Sequence, residues 1–197
     1  MSLQFDIPTL ITQMATTLSH TLRQADITEP ALIGVRTGGV WVAEKLSQLL
    51  AIPVPLGELN IAFYRDDFSR IGIHPTVAPS MLPFDVTDRD LVLVDDILYT
   101  GRTVRAAMNE IFDYGRPRSI HLVVLFDRGG RELPIAAQVV GAHLNLQPGE
   151  HAKLTGPSPM HLEICRQRPV ASAASRPRHE DSGAVARRPP SADNLAK

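Results

Sequence analysis

Apolar residues recur at helical spacing from the start of the chain. Leu10, Ile11, Met14, Ala15, Leu18 and Leu22 form one stripe, which predicts an amphipathic helix over roughly 8–24 with Pro8 in its first turn. The opposite face carries Thr12, Gln13, Thr16 and His20 and reads as solvated. Ala31–Val35 is a short apolar run of strand type, and residues 40–50 return to a helical pattern. Residues 54–64 read as extended. Periodicity then fades until about Asp90, across a stretch punctuated by Pro75, Pro79 and Pro83. Leu91 to Val94 form a continuous apolar run, the mark of a parallel strand buried on both faces. Val104, Ala107, Met108, Ile111 and Phe112 predict a helix starting near Gly101 and stopped by Gly115 and Pro117. Residues 119–126 are a second buried strand. The segments 137–144, 152–154 and 160–165, the last two joined by Thr-Gly-Pro-Ser-Pro, complete the ordered pattern.

Strands alternating with helices predict one α/β domain with a mostly parallel sheet, over residues 1–166. From residue 167 the chain turns to Ala, Ser, Pro and Arg with no aromatic residue, which predicts a disordered tail over 167–197. The length of 197 residues allows a sizeable core. A net charge of −1 gives no global basicity that would draw nucleic acid. The single cysteine, Cys165, excludes an internal disulfide and a cysteine-built zinc site, and fits a cytoplasmic setting. No apolar run approaches membrane-spanning length and no signal-peptide pattern opens the chain.

The chemistry concentrates in 91–103, LVLVDDILYTGRT. Thr100, Gly101, Arg102 and Thr103 lie between a strand and a helix N-terminus, where backbone N–H groups and the helix dipole favour a phosphate. Asp95 and Asp96, just upstream, repel a phosphate and want hydroxyls or a divalent metal. A ribose 5-phosphate satisfies both demands. Arg36, Thr37, Gly38 and Gly39 form a second strand–loop–helix turn, suited to a second anion by small residues and a fixed positive charge. One phosphate site and one pyrophosphate site fit phosphoribosyl pyrophosphate (PRPP). Residues 66–81 read as a lid, with Arg65 and Arg70 closing on the pyrophosphate. Ile97, Asp127 and Arg128, at the carboxyl ends of two strands, are the candidates for holding a base.

The stretches IGVRTGGVW, PLGELNIAFYRDD, LVLVDDILYTGRTVRAAM, DYGRP and LFDRGGRELPI resemble the PyrR family, across residues 10–144. The resemblance implies a type I phosphoribosyltransferase fold, a central sheet flanked by helices with a small hood. It implies a glycosyltransferase that converts uracil and PRPP to UMP and pyrophosphate with Mg2+, the metal standing near Asp95 and Asp96 and held indirectly. Asp95, Asp96 and Arg65 would then be catalytic. It also implies regulation of pyrimidine genes through leader RNA, with Thr12 and Arg131 matching RNA-contacting positions, and a homodimer or larger homo-oligomer. Departures are visible: Gly38 replaces the arginine of the family's Lys-Thr-Arg-Gly loop, and Thr16 and Ala136 replace a His and an Arg of the RNA face. Tyr99 stands where purine-using relatives commonly carry an aspartate, which favours a pyrimidine. A non-catalytic UMP-sensing regulator and another base-salvage transferase remain as alternatives.

Overall fold

The computed structural model describes residues 5–61 and 79–166. The predicted tail, Arg65, Arg70 and most of the expected lid lie outside the described residues.

Helix α1 (Ile7–Gln24) buries Ile7, Ile11, Met14, Ala15, Leu18 and Leu22, the expected stripe with Ile7 added and Leu10 only half-buried. Asp6 caps it by accepting from the Thr9 amide at 3.2 Å. Strand β1 (Ala31–Val35) is buried throughout and leads into α2 (Gly38–Leu50), which begins two residues before its apolar pattern does. The small Gly38 and Gly39 occupy that first turn. Strand β2 is Gly57–Leu59, shorter than the described part of the extended run predicted over 54–64, of which residues 62–64 lie outside the described residues. Met81 returns to it through a pair of hydrogen bonds with Glu58, each 2.8 Å.

Strand β3 (Asp90–Leu98) extends well past the apolar run of 91–94. Its ladder with β4 (Ser119–Asp127) continues to Leu98 opposite Asp127. Backbone pairing does not depend on side-chain polarity, so the carboxylates of Asp95 and Asp96 sit inside the strand rather than after it. Helix α3 (Arg102–Tyr114) connects β3 to β4, and β5 (Val139–His143) follows. The resulting sheet runs β2-β1-β3-β4-β5, with every pairing parallel.

Two cores flank the sheet. On one face α1 and α2 pack over Leu32, Val92, Val94, Val123 and Leu125. On the other, α3 and the chain around Leu82–Val86 cover Ile33, Leu91, Leu93, Leu122 and Val124. Strands β6 (Glu150–Thr155) and β7 (His161–Arg166) form an antiparallel hairpin. Leu154 is buried, and Ala152, Met160 and Leu162 pack with Trp41 and Ile97 against the first core. The hairpin thus stands by the carboxyl end of β3, where the resemblance implies a hood. No helix among the described residues is long and apolar enough to cross a membrane.

Candidate active site

Asp95 and Asp96 are 3% and 8% exposed, and successive strand residues point to opposite faces. Asp95 lines a concavity with Ile97, Thr100, Gly101 and Thr103, and its Oδ1 accepts from the Asp96 amide at 3.0 Å. Asp96 faces the start of α2: a Cβ placed on Gly38 would run into its carboxylate. Gly39 is held as closely, since a Cβ there would lie 2.6 Å from the Val94 carbonyl oxygen. The Gly-Gly pair therefore brings the Thr37–Gly39 loop against β3, with Asp95 toward the 100–103 loop and Asp96 toward Gly38.

The loop at 100–103 takes its shape from Gly101, whose φ of +91° suits a residue without Cβ. Gly101 also gives α3 no side-chain cap, and Thr103 and Val104 of its first turn line the concavity that Asp95 shares. Thr100 is buried, and its Oγ1 accepts from the Arg102 amide at 3.2 Å. The Arg102 Nε and Nη2 both reach Glu132 Oε2 at 2.7 Å, so its charge is paired with Glu132.

The segment 127–135 braces the same loop from behind. Arg128 N–H donates to the Leu98 carbonyl at 3.0 Å, and the amides of Glu132 and Leu133 donate to that of Thr100 at 3.0 and 3.2 Å. The Arg131 guanidinium donates to the carbonyls of Leu98, Tyr99 and Ile135 and to Asp127 Oδ2. Burial pushes the Asp127 carboxyl up, but the Gly129 amide and Arg131 outweigh it and leave the group below its usual range. The Asp127 carboxylate is thus engaged by Arg131 and the Gly129 amide, and the Arg131 guanidinium donates within the loop. Gly129 and Gly130, at φ +71° and +75°, turn the chain back so that the two charges meet. Arg128 lies over the Tyr99 ring, 3.9 Å from its centroid, and donates to the Glu150 carbonyl at 2.8 Å, tying the loop to the hairpin.

At the second anion loop, Arg36 Nε and Nη2 each lie 2.7 Å from Glu58 Oε2. The Arg36–Thr37 peptide is cis. Thr37 precedes α2 without a side-chain capping bond. Glu58 escaped the sequence reading; its only signal is a lone carboxylate between Gly57 and Leu59 in an otherwise apolar strand. Thr12 is exposed on α1 and its hydroxyl donates to the Pro8 carbonyl at 3.0 Å, as Thr16 does to Thr12 at 3.2 Å. Both threonines satisfy their own helix.

Asp95 and Asp96 do not make a metal cage: among the described residues no group of three or more His, Cys, Asp or Glu side chains is placed to hold an ion. The pair fits a hydrated Mg2+ that arrives on a phosphate ligand and needs only one or two protein carboxylates.

A family model described as "Phosphoribosyl transferase domain" matches residues 5–148. The chain is similar to the bifunctional protein PyrR of Nitrosococcus oceani, 58% identical over 161 residues that cover 81% of this chain and 91% of that one. The bifunctional protein PyrR of Pseudomonas syringae pv. tomato is 57% identical over 155 residues, covering 79% and 91%. Among solved structures, the hypoxanthine phosphoribosyltransferase of Trypanosoma cruzi shares the fold, with a TM-score of 0.55 and 21% identity over 74% of this chain and 79% of that one.

Proposed function

The chain belongs to the PyrR family of phosphoribosyltransferases, and from that premise we propose that it transfers the phosphoribosyl group of PRPP to uracil, giving UMP and pyrophosphate. The observation that carries this reading is the placement of Asp95 and Asp96 between two anion loops, one carboxylate toward each.

In the reaction the bond from ribose C1 to the pyrophosphate oxygen breaks and its electron pair leaves with pyrophosphate. Uracil N1 supplies the pair for the new bond and loses its proton. Positive charge grows on the sugar and negative charge on the leaving group. The amides and hydroxyls of Thr100, Gly101 and Thr103 hold the 5-phosphate, with the amide of Arg102. Asp95 and Asp96 hold ribose hydroxyls and stabilise the cationic sugar. Arg36 and the loop over Thr37, Gly38 and Gly39 receive the pyrophosphate. Mg2+, when bound, neutralises part of the pyrophosphate charge. Arg65 enters this scheme as a further cation for the leaving group. Ile97, beside the hairpin, gives the base an apolar wall.

The same site suits a regulatory role, because UMP is both product and signal. As a regulator it would act in the cytoplasm as a homodimer or larger homo-oligomer, with pyrimidine-operon leader RNA as a weakly held partner. Purine salvage is the competing reading. Tyr99, stacked beneath Arg128, supports uracil by leaving no carboxylate at that position. The test is pyrophosphate release from PRPP and Mg2+ with uracil, hypoxanthine and guanine in turn. Release with uracil alone is expected; release with a purine and none with uracil would overturn the reading.

A further inference from the structure

We infer that Glu58 is a positioning residue for the pyrophosphate half of the site, acting through Arg36. The inference rests on the proposed transferase reading. Both Nε and Nη2 of Arg36 converge on one oxygen, Glu58 Oε2, at 2.7 Å. The two side chains are 32% and 24% exposed, so the pair is partly withdrawn from water. An exposed ion pair of this kind adds little to stability, because solvent screens it and ordering two long side chains costs entropy. A guanidinium pinned by two donors to one carboxylate is, however, fixed in direction.

The anchor itself does not drift. Glu58 stands opposite Gly34 in the β1–β2 pairing. Its own amide and carbonyl are both engaged with Met81, each bond 2.8 Å. The Arg36 amide donates to the Leu59 carbonyl at 2.8 Å, so backbone and side chain of Arg36 are tied to adjacent residues of β2. The cation beside the Thr37–Gly39 loop is therefore carried by a rigid strand rather than by the loop alone, as a preorganised anion site requires.

A carboxylate near a pyrophosphate has two opposite effects. As a charge it repels the ligand; as an anchor it holds the cation the ligand needs. Truncation separates the two. If Glu58 acts only as a charge, Glu58→Ala and Glu58→Gln tighten pyrophosphate equally. If it positions Arg36, Glu58→Ala weakens pyrophosphate. Glu58→Gln, whose amide oxygen still accepts from the guanidinium, then recovers part of the loss.

The experiment is calorimetric titration of Mg2+-pyrophosphate, and separately of UMP, into the whole protein and its variants, with thermal melting as a control for folding. We expect Glu58→Ala to weaken pyrophosphate by about tenfold, in the range shown by coupled charged neighbours. Glu58→Gln should lose less, UMP affinity should hold in both, and neither change should alter pyrophosphate binding once Arg36 is Ala. Unchanged or tighter pyrophosphate binding, or an equal loss in the Arg36→Ala background, overturns the inference. So does a melting loss large enough to weaken UMP in parallel, seen for both variants. Failure of the unchanged protein to bind either ligand would instead count against the transferase reading.

Discussion

The Arg131 guanidinium donates to the Tyr99 carbonyl oxygen at 2.7 Å, across a separation of 32 residues. Together with its bonds to Leu98, Ile135 and Asp127, this uses four of the five donor positions a guanidinium has. Replacing Arg131 by Ala leaves the Asp127 carboxylate and several carbonyls without that partner. At side-chain exposures of 22% and 17% for Arg131 and Asp127, solvent replaces the bonds only in part. A loss of about 2 kcal/mol is expected. Arg131→Lys should recover little of it, because an ammonium has three donors and no planar fork. Denaturant unfolding measures this; a loss under about 0.5 kcal/mol, the usual range of surface substitutions, would show the brace to be dispensable.

Much of the site was legible before the structure. An apolar run followed by Asp95-Asp96 and Thr100-Gly101-Arg102-Thr103 sets strand, carboxylates, anion loop and helix in order along one local stretch. The period of 3.6 likewise marked the buried face of α1, missing Ile7 and counting Leu10, which is only half-buried. What could not be read is which charges are spent on each other. Arg131 meets Asp127 and Arg102 meets Glu132 only because the turn at Gly129 and Gly130 folds 127–135 back over the loop. Arg36 meets Glu58 only because β1 and β2 are neighbours. Such pairings depend on tertiary register, which residue types alone do not reveal.

Gly39 offers a test of the close approach of the second loop to β3. In Gly39→Ala the new Cβ meets backbone, the Val94 carbonyl at 2.6 Å and Asp95 Cα at 3.1 Å, so the loop must retreat. In Gly38→Ala it meets the side chain of Asp96, its carboxylate and, at 2.9 Å, its Cβ, so Asp96 is displaced. Steady-state kinetics should show Gly39→Ala raising KM for PRPP by up to about a hundredfold, the size of effect a displacement near 1 Å can produce. Gly38→Ala should act mainly on kcat through the displaced Asp96. Equal and small effects of both would mean that neither contact matters.

Stability should fall on the acid side. Hydrogen bonds from Arg118 hold the Asp90 carboxyl below its usual range, outweighing burial, with Ser119 and nearby His121 helping. A carboxyl whose folded pKa is depressed adds stability above its unfolded value of about 3.9 and loses it as pH falls through the folded value. Asp127 acts in the same direction. Melting temperature followed from pH 7 down to about pH 3 should therefore drop, and Asp90→Asn should flatten the drop while lowering the plateau near neutrality. An unchanged acid slope in Asp90→Asn would remove Asp90 from this account.

Leader-RNA binding by the folded domain should be weak, and what affinity Arg176, Arg178, Arg187 and Arg188 add should be non-specific and strongly dependent on salt. Thr12 and Thr16 turn their hydroxyls to their own helix, Ala136 has no charge to offer, and Arg131 is committed to the loop. Each absent phosphate contact removes about one unit from the slope of log affinity against log salt. At physiological salt, dissociation constants for pyrimidine-operon leader RNA should fall in the roughly 1–100 µM range of non-specific binding. Nanomolar, UMP-enhanced and sequence-specific binding that survives deletion of residues 167–197 would refute this.

In the proposed reaction the two carboxylates of β3, one toward each proposed anion loop, carry the transfer. The direct measurement is turnover of uracil to UMP beside equilibrium binding of PRPP, in Asp95→Asn and Asp96→Asn. Charge on the sugar exists only in the transition state, so turnover should suffer more than binding. A loss of about 2–4 kcal/mol, roughly 30- to 1000-fold in kcat, is expected for each, with PRPP affinity changed by less than about tenfold. Near-normal kcat in both variants, or a loss confined to PRPP affinity, would contradict the claim.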